Sequence, residues 1–359
     1  MTSERMPGSS GRPLPERDLT HILEHTQGLW EELRGGRLFV TGGTGFFGRW
    51  MLESFLQVND QLGLGAEAIV LTRDPQVFAD NAPHVGRHRA VALQAGDIRS
   101  FEYPKSDCTH VLHMATETAL GSSAMASFRT AVEGTERVLA FATGRGVSKL
   151  LLTSSGVVYG PQPPDLDRMS EDYQGAPRPE DPSAGYGHGK RAAEFLCAAA
   201  ASETELKTKI ARCFAFVGPL LPLDGDFAIG NFIRDALYRD RIEVAGDGRP
   251  RRSYLYAADL AVWLWTILFR GESGRPYNVG SEADVSISDL ARLVAEVLRP
   301  GLPIHTAEPM SAETPPPRYV PSITRAAGEL GLQGHVVLDD AILRTAHWYL
   351  AGPMRRLRG

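Results

Sequence analysis

The stretch Arg37–Trp50, RLFVTGGTGFFGRW, constrains this chain more than any other. A short apolar run leads into Gly42, Gly45 and Gly48, spaced three apart, and the helical pattern GRWMLESFLQVN follows. Strand, tight turn and helix is the arrangement in which backbone N–H groups and a helix N-terminus converge on an anion. Gly42 permits the turn, Gly45 lets the backbone approach a pyrophosphate, and Gly48 lets the helix lie close to the strand. Residues 43–48 also satisfy the G-x-G-x-x-G spacing, with Phe46 and Phe47 filling its last gap. An ordinary glycine-rich turn would satisfy the spacing alone. The flanking strand and helix favour a dinucleotide cradle, lined by Gly42, Gly45, Phe46, Phe47 and Gly48.

The same alternation continues downstream. AEAIVLTR, AVALQAGDI, HVLHMA, KLLLTSS and KTKIARCFAFVGP read as apolar strands. SFRTAVEGTERVLAFATGRG and AGYGHGKRAAEFLCAAAASE read as helices between them. Strands that alternate with helices imply βαβ units and a parallel sheet covered on both faces. The expected fold is therefore α/β, a Rossmann-type doubly wound parallel sheet with a smaller C-terminal substrate-binding lobe. Residues 36–217 would form the dinucleotide-binding domain with the catalytic groups. Residues 218–359 would mainly form the lobe, because GPLLPLDGDFAIG, AGDGRPRRS and AETPPPRYVPS interrupt the alternation, while 252–282 would return to the Rossmann domain. Residues 1–35 read as an N-terminal extension: disordered to about residue 14, then one amphipathic helix with Leu19, Ile22, Leu23 and Leu29 or Trp30 on one side.

With 359 residues, 43% of them hydrophobic, the chain can bury a full core. A formal net charge of −5 offers no broad basic surface for nucleic acid or anionic lipid. Cys108, Cys197 and Cys213 are scattered, which argues for buried thiols in a reducing compartment and against a disulfide frame or a zinc site. No apolar run reaches the roughly 20 residues of a membrane span. A soluble cytoplasmic protein is expected, with no bound metal.

The second strand sharpens the cofactor reading. An NAD site uses a carboxylate at that strand's end to grip the ribose hydroxyls, whereas an arginine accommodates a 2′-phosphate. Here the strand ends in Thr72 and Arg73, which favours NADP(H); Asp74 keeps NAD as the alternative. Further along, Tyr186 and Lys190 stand four apart at the start of a helix, behind a strand that ends TSSGVVYG. A tyrosine is a poor base at neutral pH, and a neighbouring ammonium is expected to lower its pKa. With Ser155 hydrogen-bonding a substrate oxygen, Tyr186 moving the proton, and Lys190 tuning Tyr186 and holding the ribose, the trio suits hydride transfer at an alcohol or ketone carbon.

From these motifs the chain resembles the extended short-chain dehydrogenase/reductases, in particular the nucleotide-sugar epimerase/dehydratase family. The resemblance runs over roughly residues 37–345 and rests on TGGTGFFG, GDI, HMATET, TSSGVVYG, YGHGK, FVGP, RRSYLYAADLA and YNVGS. It implies that Asp97 and Ile98 contact adenine, that Ala115 lines the cofactor, and that Ser155 is the catalytic serine. It further implies that Arg252 grips the substrate's diphosphate, with Arg318 as a second contact, and that Asn231 touches the sugar nucleotide. Glu117 resembles a glutamate of the dehydratases and reads as a substrate contact.

Departures from the family pattern narrow the chemistry. The 4,6-dehydratases and related decarboxylases carry a glutamate two residues before the tyrosine of VYG, and the dehydratases often add an aspartate one place earlier. Gly156 and Val157 stand there in this chain and cannot transfer a proton. Ala131 and Ala215 replace asparagines common in the family. The resemblance therefore implies an NAD(P)-dependent nucleotide-sugar epimerase working at a sugar carbon, C4, through a transient keto intermediate. An NADPH-dependent keto-sugar nucleotide reductase stays open, with a 4,6-dehydratase and a non-catalytic NAD(P)-binding sensor behind it. The family's habit of pairing through two helices implies a homodimer, with residues 124–143 and 185–203 in place.

Overall fold

The structure, a computed structural model, describes residues 11–116, 123–307 and 315–351. In chain order it contains α1 (Glu16–His25), β1 (Arg37–Thr41), α2 (Phe46–Leu62), β2 (Glu67–Thr72), the short helices α3 (Pro75–Asn81) and α4 (Pro83–Gly86), β3 (Val91–Ala95), β4 (His110–His113) and α5 (Ala124–Gly144). Then follow β5 (Lys149–Ser155), α6 (Gly185–Glu203), β6 (Lys207–Cys213), β7 (Phe216–Val217), α7 (Ala228–Tyr238), β8 (Ile242–Val244), β9 (Arg251–Ser253), β10 (Leu255–Tyr256), α8 (Ala257–Arg270) and β11 (Pro276–Val279). The chain closes with β12 (Asp284–Ser286), α9 (Ile287–Leu298), β13 (Ile304–Thr306), β14 (Arg318–Tyr319), α10 (Thr324–Leu330) and α11 (Leu338–Leu350).

Seven parallel strands form the central sheet in the order β11-β6-β5-β4-β1-β2-β3. Successive side chains of a strand face opposite ways, and β1 shows the consequence. Leu38 and Val40 join a core with Trp50, Trp263 and Trp265 of α2 and α8. Phe39 joins the other core, with Val138 and Phe141 of α5 and Ala193 and Cys197 of α6. Both faces are thus covered, which is why the strands read as continuous apolar runs. The order reverses between β1 and β4, and such reversals open the ligand crevice at the carboxyl edge of a doubly wound sheet. All three cysteines are buried free thiols.

After the lobe elements α7 and β8, the chain re-enters the sheet layer through α8 and the edge strand β11. Beside the crevice, β12, β9 and β14 form a small three-stranded sheet that carries Arg251, Arg252, Arg318 and Tyr319. No helix among the described residues is long and apolar enough to cross a membrane.

The N-terminal extension departs from expectation in two ways. Residues 1–10 lie outside the described residues, but residues 12–14 are fastened down. Leu14 N–H donates to Glu53 Oε2 at 2.7 Å, and Trp348 Nε1 donates to the Pro13 carbonyl at 3.0 Å. The single helix expected to about residue 34 ends at His25. Thr26 turns its hydroxyl back onto the Ile22 carbonyl and accepts the indole N–H of Trp30, so Trp30 swings inward to meet Trp265 at 4.6 Å between ring centroids. A short 3-10 turn then spans Trp30–Leu33. Buried Asp18 of α1 accepts from Tyr256 Oη at 2.7 Å and Arg344 Nη1 at 3.0 Å, pinning α1 to the body. A buried carboxylate is tolerated because both partners compensate it.

Candidate active site

The glycine loop is shaped as a cradle. Gly42 has φ of 71°, and a Cβ there would sit 2.5–2.6 Å from the backbone of Met114 and Ala115. A Cβ on Gly48 would lie 2.3 Å from the Gly42 carbonyl oxygen, so only glycine lets α2 start this close to the turn. Gly45 is exposed, and a Cβ on it would meet nothing nearer than 3.6 Å. Its backbone therefore faces open space at the start of a helix whose N-cap carries no side-chain acceptor. That is the geometry a pyrophosphate requires, and the residues fit a dinucleotide. Phe46 and Phe47 start α2; Phe47 meets Phe216 edge-on at 5.1 Å.

At the end of β2, Arg73 is exposed, and its charge helps hold the Asp97 carboxyl below its usual range, after the larger effect of the Arg99 hydrogen bond. Asp74 caps α3 by accepting Val77 N–H at 2.9 Å. Asp97 accepts both the backbone N–H and the guanidinium of Arg99. Ile98 is buried against Gly134 of α5, and Ala115 N–H donates to Thr41 Oγ1 beside the cradle.

The three residues expected to be catalytic are brought to one edge of the sheet. Ser155 ends β5, and Tyr186 and Lys190 rise from the first turns of α6, which packs on β5 and β6. Thr116 and Ser155 are the neighbouring hydroxyls that favour the charged form of Tyr186. Lys190 is buried, donates to the Thr153 carbonyl at 2.8 Å and sits 5.8 Å from the Tyr186 ring centroid. Its expected lowering of the Tyr186 pKa is not what the site holds. Burial pushes Tyr186 above its ordinary value, and the neighbouring Thr116 and Ser155 hydroxyls work against it. Burial also pulls Lys190 down to about 8. Both groups lose water in the crevice, and each loses it at the expense of its charged form.

His113, at the end of β4, links Thr41 Oγ1 at 2.8 Å to Thr135 Oγ1 of α5 at 3.0 Å. Burial, and then the Lys190 charge, lower it to about 3, so it is neutral. His188 faces away from the trio, with Nε2 3.1 Å from the Arg178 carbonyl.

The two arginines differ. Arg318 faces carboxylates, Asp167 at 3.3 Å and Asp284 at 3.8 Å, and Arg251 also pairs with Asp284. Arg252 has no carboxylate within ion-pair range among the described residues; it donates to the Arg251 carbonyl and lies 5.7 Å from the Tyr319 ring centroid. A guanidinium with free donors is the better grip for a diphosphate. Asn231 is engaged inside the lobe, donating to the Gly225 carbonyl and accepting from Arg234. Glu117 lies outside the described residues.

Sequence reasoning passed over Tyr319. Residues 318 and 319 alternate across β14, so as Arg318 faces the carboxylates, Tyr319 faces inward. Its ring packs on Phe214 at 4.7 Å, and its hydroxyl lies against Gly156. Gly156 was the available signal: a Cβ there would lie 2.7 Å from Tyr319 Oη and from the Phe214 ring.

A Rossmann-type sheet with this cradle and a Ser–Tyr–Lys trio at its carboxyl edge defines a dinucleotide-dependent α/β enzyme class. Residues 38–280 match the model of the NAD dependent epimerase/dehydratase family, and the chain belongs to that family. Among curated relatives, UDP-glucuronic acid decarboxylase 1 of Xenopus tropicalis is 28% identical over 93% of this chain and 76% of its own. UDP-glucuronic acid decarboxylase 6 of Arabidopsis thaliana is 27% identical over 85% and 86%. Among solved structures, dTDP-glucose 4,6-dehydratase of Streptomyces venezuelae, solved with NAD, superposes with a TM-score of 0.73 at 24% identity over 88% of this chain and 97% of that one. UDP-glucose 4-epimerase of Thermotoga maritima gives 0.69 at 20% identity over 88% and 98%. These structures share the fold.

Proposed function

We propose that the protein is an NAD(P)-dependent nucleotide-sugar epimerase that oxidises one sugar carbon, C4, to a keto intermediate and reduces it again on the opposite face. One observation carries this reading: Ser155, Tyr186 and Lys190 meet at the crevice while positions 156 and 157 hold no carboxyl group. The resemblance assigns the elimination chemistry of dehydratases and decarboxylases to carboxyl groups at those positions. Although the relatives above are decarboxylases, this chain has instead a glycine roofed by Tyr319 and Phe214.

When bound, the dinucleotide supplies the hydride acceptor and donor. The chain's own residues do the rest. In its phenolate form Tyr186 takes the proton of the sugar hydroxyl as the carbonyl forms and returns it on reduction, and Ser155 holds that oxygen in place. Lys190, its charge weakened by burial, anchors the crevice floor through Thr153. Arg252 holds the diphosphate. Asp97 and Ile98 take the adenine, Asn231 and Arg318 border the nucleotide, and Phe46, Phe47 and Ala115 line the cofactor. Asp74 is engaged as a helix cap and Arg73 is exposed, which supports NADP(H) over NAD.

The same Arg73 supports a second reading, an NADPH-dependent keto-sugar nucleotide reductase. Denaturing protein purified without added cofactor and identifying the released dinucleotide by mass separates the two. Stoichiometric NADP+ is the expected result. Stoichiometric NAD+ would keep the epimerase and overturn the Arg73 assignment. An empty protein that takes up NADPH would make the reductase the correct reading. A homodimer through α5 and α6 is supported by Met125 and Phe195, both largely exposed on those helices, and light scattering at twice the 39.1 kDa chain mass would check it.

A further inference from the structure

Tyr186, Lys190 and Glu194 follow one another at intervals of four on α6, so they share one side of the helix. Two of them hold consecutive residues of β5. Lys190 donates to the Thr153 carbonyl at 2.8 Å, and Glu194 Oε1 accepts the hydroxyl of Ser154, the residue before Ser155. Ser154, Lys190 and Glu194 are all buried. Glu194 is itself held by a row of polar side chains that crosses the sheet. Ser154, Arg212 and Asn278 are register partners on β5, β6 and β11. Arg212 grips both carboxylate oxygens, with Nη2 2.7 Å from Oε2 and Nε 3.0 Å from Oε1, and turns Nη1 to Tyr159 Oη at 2.8 Å. Burial pushes Tyr159 up to about 12, so it keeps its proton and donates it to Asn278 Oδ1 at 2.8 Å. The Asn278 amide donates in turn to the Met169 and Ser322 carbonyls.

The next row toward the carboxyl edge contains Ser155, paired with Cys213. We propose that Glu194 is a positioning residue of the active site: locked by Arg212, it holds Ser154 and so fixes the end of β5, with Ser155, against the helix that carries Tyr186 and Lys190. Glu194 acts through Ser154. A carboxylate suits the position because it only accepts, and here it takes a hydroxyl and a guanidinium at once. The forked pair with Arg212 gives that acceptor a fixed direction. A buried ion pair adds little net stability, and its best-attested use is to specify one arrangement. The part played in turnover rests on the epimerase reading; the hold on β5 does not.

The test compares three variants of the full chain. S154A removes one hydroxyl and leaves the Glu194–Arg212 pair, E194Q removes the anion, and Y159F cuts the same network on the far side of Arg212. Thermal unfolding confirms that each is folded. Without substrate, amide exchange at residues 153–155, read by NMR, should quicken about five- to tenfold in S154A, as the loss of one hydrogen bond at a strand end allows. Y159F should leave those amides nearly unchanged even where it lowers the melting temperature as much. Exchange in S154A equal to wild type overturns the proposal. Equal quickening in Y159F overturns it too, because the row would then be a general brace. With a nucleotide sugar, kcat of S154A should fall about five- to tenfold while KM and dinucleotide affinity stay put. E194Q should fall at least as far, and the double variant S154A/E194Q should match E194Q, because the two changes remove one shared bond. An unchanged kcat in S154A, or independent losses in the double variant, would also overturn it. Should wild type turn over no nucleotide sugar, the epimerase reading fails while the exchange experiment still decides whether Glu194 holds β5.

Discussion

The two ends of the crevice are built in different ways. At the cofactor end, seven consecutive residues, 42–48, make the cradle, and the tight contacts of Gly42 and Gly48 are with backbone. At the substrate end, Ser155, Tyr186, Arg252 and Tyr319 come from four separate segments and work through side chains. A site made of backbone tolerates no added atom but is indifferent to charge. One made of side chains is indifferent to modest changes of volume but depends on each hydroxyl and guanidinium. Substitutions at the two ends should therefore fail in different ways.

The largest expected effect is at the substrate end. Tyr186→Phe removes the proton carrier and keeps the ring, so turnover should fall by about 10²–10⁴-fold. Dinucleotide affinity, read by titration of the cofactor's fluorescence or by calorimetry, should be nearly unchanged. A variant that lost both would mean that the two ends are not separable.

Gly48→Ala tests the other end. The added Cβ would meet the Gly42 carbonyl oxygen at 2.3 Å and the Gly43 Cα at 2.4 Å, so the turn or α2 has to move. Overpacking of this kind costs about 1–3 kcal/mol. Here the loss should appear as weaker dinucleotide binding and a lower melting temperature, with KM for the sugar nucleotide unmoved at saturating cofactor. Equal binding in G48A and wild type would remove the cradle assignment.

This difference also explains what was legible in advance. The cradle could be read from RLFVTGGTGFFG because its geometry is local: a positive φ at Gly42 and a close approach at Gly48 need glycine wherever the fold places them. The alternation of cores about Leu38, Phe39 and Val40 was equally local. Ser155, Tyr186 and Lys190 were legible through spacing and resemblance, but their electrostatics were not. Burial is a property of the assembled crevice, and it is what raises the Tyr186 pKa. Tyr319 was out of reach because nothing near PPRYVP indicates that β14 will lie beside β9 and set its second residue against Gly156. The fastening of residues 12–14 was hidden for the same reason, since Glu53 and Trp348 lie far away in sequence.

Arg252→Ala and Arg318→Ala refine the comparison within the substrate end. A lost charge-assisted contact of about 1.5–3 kcal/mol corresponds to roughly 10–150-fold in substrate KM or Kd for Arg252→Ala. Arg318 is already neutralised by Asp284 and Asp167, so its alanine variant should weaken the nucleotide sugar by several-fold less. The reverse ranking, measured by titration with the bare nucleoside diphosphate, would reassign the diphosphate grip to Arg318.

The smallest effect lies on the seam between the two ends, at His113, which ties Thr41, the last residue before the cradle, to Thr135 of α5. Its folded-state pKa is about 3, below the ordinary 6.5, chiefly through burial. As pH falls below 6.5 the unfolded chain binds a proton at this histidine while the folded protein does not, so stability is lost progressively between about 6.5 and 3. One proton corresponds to a slope of about 1.4 kcal/mol per pH unit. His110 is also lowered by burial and contributes with the same sign, but it remains in both proteins under comparison. His113→Asn should therefore unfold more easily at pH 7, by about 1 kcal/mol for the hydrogen bonding it loses. Its stability should then fall less steeply than wild type between pH 6.5 and 5, by up to one proton's worth. Parallel curves from urea unfolding at several pH values would mean that the folded protein protonates His113 as readily as the unfolded chain does. The seam would then be a solvated contact, and the two ends would be less firmly joined than the Thr41–His113–Thr135 bridge requires.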